Sequence, residues 1–228
     1  MNNKAVSNIE FILSFIMFVG FVAAALYFFN PTKDVRAIQF SRDYVANEII
    51  RNSTVELDSY SIVIKSGGAN FKVYIPGIDS KMKVRVEDYN GKELPAKRIG
   101  DSICFERDGA DFVTIYFSED FEEQEFDCSG AGEGDYRMAS YINGQAISEK
   151  RIGYLKDYYD DNYKSLKDIF KIPNNADFDF ALEFADGRII KAEKQIPLRV
   201  EVFSESELRE VIREDGAREF AYLTVRVW

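Results

Sequence analysis

The chain has 228 residues, with 39 acidic and 29 basic side chains, a formal charge of −10 and no histidine. The missing histidine excludes Ser-His-Asp and Cys-His catalysis within one chain, and the acidic balance argues against nucleic acid, whose phosphates are bound mostly by clustered Lys and Arg. Aromatic residues make up 14% of the chain, enough to build a packed core. We therefore expect a folded protein that is not an enzyme, with no cofactor and no metal site.

An uncharged apolar run from Phe11 to Phe29 is the main feature of the N-terminal part. As a helix rising about 1.5 Å per residue, it would extend about 28 Å, close to the hydrocarbon thickness of a bilayer. A secretory signal peptide is the alternative, but its apolar region is shorter and small residues follow it, whereas residues 26–29 here are bulky. The run predicts a membrane-embedded helix in a single-pass protein with an extracellular body.

Residues ahead of this run have the arrangement of a processing site. Lys4 and Ala5 precede Val6, and Glu10 stands at the edge of the apolar run. A carboxylate at that position costs a few kcal/mol and normally implies a partner. Cleavage between Ala5 and Val6 would make Glu10 the fifth residue of the mature chain.

The sequence KAVSNIE at residues 4–10, followed by the apolar run, resembles the class III signal peptide of archaeal type IV pilins and pilin-like proteins. Tight-adherence pseudopilins begin similarly, and the sequence does not separate the two. The resemblance covers only the N-terminal segment. It implies that a prepilin peptidase recognises Lys4 and Ala5 and cleaves before Val6.

In such a filament, the α-amino group of Val6 of one subunit would neutralise the Glu10 carboxylate of a neighbour. The resemblance therefore implies a structural subunit of a cell-surface filament that displays its body for adhesion or surface assembly. Its partners would be membrane lipid, the prepilin peptidase and other pilin-like subunits, but not nucleic acid. The alternative is a membrane-anchored extracellular binding module that does not polymerise, in which Glu10 only marks the end of the anchor.

Apolar residues recur at helical spacing after the first run, between Thr32 and Arg51. Thr32 can cap this second segment, and Pro31 just before it would bend the helix. The predicted organisation is a leader at residues 1–5 and a helix at residues 6–52 that is bent near Pro31.

Short alternating or β-branched runs, separated by turn residues, predict an antiparallel sheet beyond Asn52. The predicted strands are 60–65, 71–75, 82–88, 102–106, 112–117, 178–184, 188–192, 198–203, 208–213 and 220–228. Residues 208–213 could equally form a short helix.

Residues 148–172 interrupt the strand pattern with apolar side chains at helical intervals, after a glycine-rich loop. We predict a β-rich domain at 53–228, with sub-lobes 53–128 and 176–228 on either side of this helical insertion. The predicted fold class is α+β, with a long N-terminal hydrophobic helix followed by a mostly antiparallel β-rich extracellular domain.

Cys104 and Cys128 are the only cysteines, an even number in a body expected outside the cell. A disulfide between them is favoured, and two separate buried thiols are the alternative. Asn52 begins an Asn-Ser-Thr sequon, a candidate glycosylation site on an exposed connection. Acidic runs at 118–125 and 158–163 lack the ligand order of a calcium loop and predict solvated faces.

Overall fold

The structure, a computed structural model, describes residues 11–25 and 42–228 in full and adds the helical backbone of residues 3–10, 26–28 and 32–41. Within these ranges the helices are α1 (Asn3–Phe28), α2 (Thr32–Ser53) and α3 (Glu149–Ile169). The strands are β1 (Thr54–Ser66), β2 (Asn70–Tyr74), β3 (Lys83–Asp88), β4 (Glu93–Leu94), β5 (Ala96–Ile99), β6 (Ser102–Glu106), β7 (Phe112–Ser118), β8 (Gly132–Glu133), β9 (Asp135–Ser148), β10 (Phe178–Phe184), β11 (Ile189–Ala192), β12 (Phe203–Ile212) and β13 (Arg218–Val227). The chain divides into two units, Met1–Ser41 and Arg42–Trp228, and every strand belongs to the second.

The predicted α+β class with a long N-terminal hydrophobic helix is wrong. The fold is β-rich, because strands take up 44% of the fully described residues. The apolar helical residues with described side chains, 11–25, extend about 22 Å at 1.5 Å per residue, which is less than the ~30 Å of a bilayer's hydrocarbon core. Among the described residues, no helix combines the length and the hydropathy that a membrane crossing requires.

One sheet of nine strands organises the body, in the order β11-β10-β13-β12-β9-β1-β7-β3-β4. Its neighbours are antiparallel except for β12 and β9, which pair in parallel only at Val211–Ile147 and Ile212–Ser148. A second sheet has the order β5-β6-β2-β8. Residues 53–128 and 176–228, which the sequence assigned to two sub-lobes, both contribute strands to the nine-stranded sheet.

The first core lies between the two sheets. Alternate residues of β1 and β7, including Ile62 and Ile115, point to the same face and are fully buried, as a period of two requires. The second sheet covers them with Phe71 of β2 and Phe105 of β6, whose ring centroids lie 5.8 Å apart. This end of the body is therefore a sandwich of two sheets.

Helix α3 builds a second core against β10. The Ser148 hydroxyl caps its first turn by accepting a hydrogen bond from the Arg151 N–H. Tyr159 packs edge-on against Phe178 and donates a hydrogen bond from its hydroxyl to the Phe178 carbonyl oxygen at 2.6 Å. Burial raises the pKa of Tyr159. The predicted helical insertion at 148–172 corresponds to this helix.

Most predicted strands occur in the structure, and two of them, 102–106 and 178–184, have the predicted bounds. Residues 208–213 belong largely to β12, not to a helix. The predicted strand 198–203 is wrong, because residues 193–202 lie in no strand. The sequence missed β9, the longest described strand, since most of its side chains are exposed and give a weak apolar alternation.

A buried guanidinium fixes the turn between β12 and β13. Arg85 of β3 donates from Nε to the Asp215 carbonyl oxygen at 2.9 Å and from Nη2 to the Glu214 carbonyl oxygen at 3.1 Å. Burial lowers its pKa, and the Glu93 carboxylate at 3.3 Å compensates part of its charge. Gly216 has a φ of +91°, and a Cβ there would lie 2.5 Å from Arg85 Cγ, so both the turn and the close approach require glycine.

Arg218 makes a second link between the C-terminal strands and the first half of the sheet. Its guanidinium carbon lies 3.8 Å from the centroid of the Tyr116 ring in β7. It also pairs with Glu87 of β3 at 2.9 Å and with Glu210 of β12 at 3.2 Å. The start of β13 is thus tied to β3 and β7 by charge and by ring stacking.

We predict that Arg85→Ala lowers the free energy of unfolding by about 3 kcal/mol, because two buried carbonyl groups lose a charged donor. Urea denaturation followed by the fluorescence of Trp228, the only tryptophan and a buried one, measures the effect. Arg137→Ala, at an exposed arginine, is the matched control and should change stability by less than about 0.5 kcal/mol. Equal effects of the two substitutions would contradict the assignment.

Candidate functional site

Helix α1 presents apolar side chains to solvent over the whole of its fully described part. Ten large apolar side chains are between 37% and 74% exposed. They are Phe11, Ile12, Leu13, Phe15, Ile16, Met17, Phe18, Val19, Phe21 and Val22. Because five of them are consecutive, at 15–19, they surround the helix instead of forming one stripe. A helix of this kind needs cover on all sides, so residues 11–22 form the first candidate interaction surface.

The residues assigned to processing and assembly lie next to this surface. Lys4, Ala5, Val6 and Glu10 are in the helical backbone of α1, but their side chains lie outside the fully described residues. Pro31, where a bend was predicted, also lies outside the described residues. The cleavage site, the role of Glu10 and the bend therefore stay predictions.

The last turns of α2 are packed into the body. Val45 and Ile49 are fully buried, and Arg42 pairs with Glu205 of β12 at 3.1 Å. The Ser53 hydroxyl donates to the Ile49 carbonyl oxygen at 2.7 Å and satisfies the end of the helix. The chain then enters β1 at Thr54 without an intervening loop. The N-terminal segment is thus attached to the body through a fixed helix end.

The sequon of Asn52 falls at this helix end. The Asn52 side chain is exposed, and its Nδ2 donates a hydrogen bond to the Glu48 carbonyl oxygen at 2.7 Å. Ser53 is buried and Thr54 is the first residue of β1. A glycan on Asn52 would have to replace the hydrogen bond to Glu48, and glycosylation of this residue stays a prediction.

Cys104 and Cys128 form the disulfide that the sequence favoured. Their Cα atoms lie 5.9 Å apart, within the usual range for a bridge. The bond joins β6 to the long segment between β7 and β8, which contains no other strand or helix. It therefore restrains the part of the sandwich that has the fewest backbone hydrogen bonds.

Strand β9 has an open side that the sequence analysis missed. It pairs with β1 along its length, but on its other side only Ile147 and Ser148 pair with β12. Residues 135–143, here called the β9 edge, therefore have unpaired backbone groups on that side. Three apolar side chains on this edge are exposed, namely Met138 (43%), Tyr141 (53%) and Ile142 (61%). Such an edge is a template for another strand.

A row of side chains on the C-terminal strands is also exposed. Glu183 of β10 pairs with Ile189 of β11 and with Tyr222 of β13, and Tyr222 pairs with Leu208 of β12, so the four residues share one face. Ile189, Leu208 and Tyr222 are each more than half exposed. Trp228, by contrast, is buried, as we expect of a core aromatic residue. We call the four residues the outer row.

The acidic runs do not converge on a binding site. Asp120 forms a salt bridge with Arg151 at 2.7 Å, and most of the other acidic side chains of this run are exposed. In the described part of the chain, no group of Asp, Glu and Cys is arranged to hold a metal ion. The chemistry on the surface is therefore that of apolar and strand-edge contacts.

No known protein family, curated protein or solved structure matches the chain. The function must therefore be inferred from the surfaces described above.

We predict that replacing both cysteines, with Cys104→Ser and Cys128→Ser together, lowers the free energy of unfolding by about 3 kcal/mol. The bond closes a loop with a sequence separation of 24, and opening it restores chain entropy to the unfolded state. Urea denaturation with and without a reductant measures this. The reductant should destabilise the natural chain but leave the double variant unchanged, and an equal response of both would refute the prediction.

Proposed function

We propose that the protein is a pilin-like structural subunit of a cell-surface filament. The subunits assemble through the apolar residues of α1, and each displays its β-rich body for adhesion or surface assembly. The observation that carries the proposal is the exposure of ten large apolar side chains around α1. An apolar surface of this size on a soluble chain normally marks a place where other molecules bind.

The energy available from this surface is large. Burial of one large apolar side chain contributes about 2 kcal/mol. The ten side chains of residues 11–22 would therefore supply on the order of 10 kcal/mol per subunit, before the entropy of association is subtracted.

The distribution of these side chains favours a filament over a dimer. A dimer would need one apolar stripe, with polar residues on the rest of the helix. Here consecutive apolar residues at 15–19 require neighbours on every side, which a bundle of many helices provides. The resemblance of residues 4–10 to a class III signal peptide agrees with this arrangement. In such a bundle, the Glu10 carboxylate and the α-amino group at Val6 of a neighbour would neutralise each other and set the register.

An extracellular body is part of the proposal. The Cys104–Cys128 disulfide supports it, because disulfides persist in oxidising surroundings and are rare in the cytosol of most organisms. The formal charge of −10 keeps the displayed bodies soluble and separates them by repulsion.

We predict that the protein isolated from its native cell begins at Val6. N-terminal sequencing and the intact mass should show the loss of residues 1–5, and replacement of Ala5 by a bulky residue such as Phe should leave the precursor uncut. A chain that retains Met1 would contradict processing by a prepilin peptidase.

We predict that Glu10→Ala reduces the amount of sedimentable filament about tenfold, because the neighbouring amino group loses its partner in an apolar core. Sedimentation of sheared cell-surface material measures this. Glu125→Ala is the matched control, since Glu125 is an exposed carboxylate of the body that forms no ion pair among the described residues. Unchanged assembly of Glu10→Ala would exclude the register pair.

The second candidate function is a binding module that is held at the surface and does not polymerise. The outer row favours it, since Tyr222 with the neighbouring Glu183 and two aliphatic side chains is exposed on a regular sheet face. Sedimentation separates the two functions. The filament subunit sediments as a polymer that depends on Glu10, whereas the binding module stays monomeric with or without Glu10.

A further inference from the structure

Residues 196–202, with the sequence IPLRVEV, have the pattern of a β-strand but lie in no strand. Their apolar side chains alternate with polar residues or proline, and Leu198 is 94% exposed. Val200 and Val202 are exposed as well. A segment with a period of two and exposed apolar residues is typical of a strand that lacks its partner. We call residues 196–202 the donor segment.

The backbone of the donor segment also differs from what its sequence favours. Arg199 has a φ of +68°, in the left-handed region that non-glycine residues seldom adopt and that costs of order 1 kcal/mol. Pairing as an extended strand would remove this strain. Pro197 suits an edge strand, because its backbone nitrogen would point away from the partner if Leu198, Val200 and Val202 made the hydrogen bonds.

The β9 edge has the matching side chains. Asp135 and Arg137 lie on one face of β9, and Tyr136 and Met138 lie on the other, toward the core between the two sheets. A parallel donor segment with Arg199 beside Asp135 would place Glu201 beside Arg137, so that both pairs have opposite charges. The same register places Val200 beside Tyr136 and Val202 beside Met138.

The charges involved are available for this contact. Arg137, Arg199 and Glu201 form no ion pair within the described part of the chain. Asp135 has only Lys65, at 3.7 Å, and both of these side chains are exposed, so that this pair contributes little. Opposite charges that face each other between neighbouring strands contribute about 0.2–1 kcal/mol per pair.

The fold already uses this register once. Val211 of β12 pairs in parallel with Ile147 of β9, and Arg199 lies as far before Val211 as Asp135 lies before Ile147. Within one chain, however, β12 leaves β9 upstream of this point, and Glu205 of β12 is bound to Arg42 of α2. A donor segment from a second copy can reach the β9 edge without breaking the contact to α2.

We propose that the donor segment of one copy adds as a parallel edge strand to the β9 edge of a second copy, by pairing Arg199 with Asp135 and Glu201 with Arg137. The contact goes beyond the proposed function, because it joins bodies and does not use α1. It would give neighbouring bodies a directional contact, in which each copy has both a donor and an acceptor.

The test uses two differently tagged full-length chains produced together, one with Val202→Cys and the other with Met138→Cys. A short bismaleimide, which reacts with free thiols, should join the two tags in one covalent dimer. Leu208→Cys in place of Met138→Cys is the matched control, since it is an exposed residue of the outer row, and it should give no dimer. No dimer with Met138→Cys would overturn the proposal.

Charge reversal tests the register. Arg137→Glu in the acceptor chain should lower the yield of the dimer about fivefold, and Glu201→Arg in the donor chain should restore it to within about twofold. A yield that ignores both substitutions would overturn the register.

A chain with both cysteines distinguishes closure within one molecule. If it is bridged internally while the separate chains give no dimer, the donor segment binds its own β9 and the contact between copies is wrong. The result is independent of the filament, because the dimer should also form in chains with Glu10→Ala, whose assembly through α1 is impaired.

Discussion

Two parallel residue pairs, Val211–Ile147 and Ile212–Ser148, join the four C-terminal strands to the rest of the nine-stranded sheet. So few backbone hydrogen bonds would hold the halves weakly, and buried side chains reinforce them. Arg85 holds the turn that follows β12, and Arg218 stacks on Tyr116 at the start of β13. Both arginines are kept in place by carboxylates or carbonyl groups, so their desolvation is compensated. Loss of either would leave charge or carbonyl groups unpaired where the halves meet.

The position of this joint also explains why the β9 edge is open. Since β12 meets β9 only at its C-terminal end, the preceding residues of both strands diverge and keep unpaired backbone groups. Natural sheets usually protect such edges by charge, by proline or by a covering segment. Here Asp135 and Arg137 supply charges of both signs, which discourages random pairing but permits a partner with the reverse order of charges.

Elements with strong local signals could be predicted from the sequence, and elements that depend on distant partners could not. Helix α3 has a capping Ser148 and a following Pro173, and the hairpin of β10 and β11 has Asp186-Gly187 at its turn. Strand β9 was missed because its partner β1 lies far away in sequence and covers only its backbone. Residues 198–203 were predicted as a strand because alternation is visible in a sequence, whereas the absence of a pairing strand is not. The N-terminal prediction failed because the length of an apolar run does not state what covers it. For the same reason the apolar residues of α1 could be identified in advance, but the β9 edge could not.

The two candidate surfaces differ in the kind of force they supply, and an ordered filament requires both kinds. Burial of apolar side chains on α1 would be strong but non-directional, since it is proportional to area and lets helices slide or rotate. Strand pairing and charge pairs are weaker but set spacing and direction, because a shift by one residue turns every side chain to the other face. In the proposed filament, the apolar residues of α1 would therefore supply most of the affinity, whereas Glu10 and the charges of the β9 edge would supply the register. A chain with only the apolar surface would aggregate without order, and one with only the edge contacts would bind its neighbours too weakly to persist.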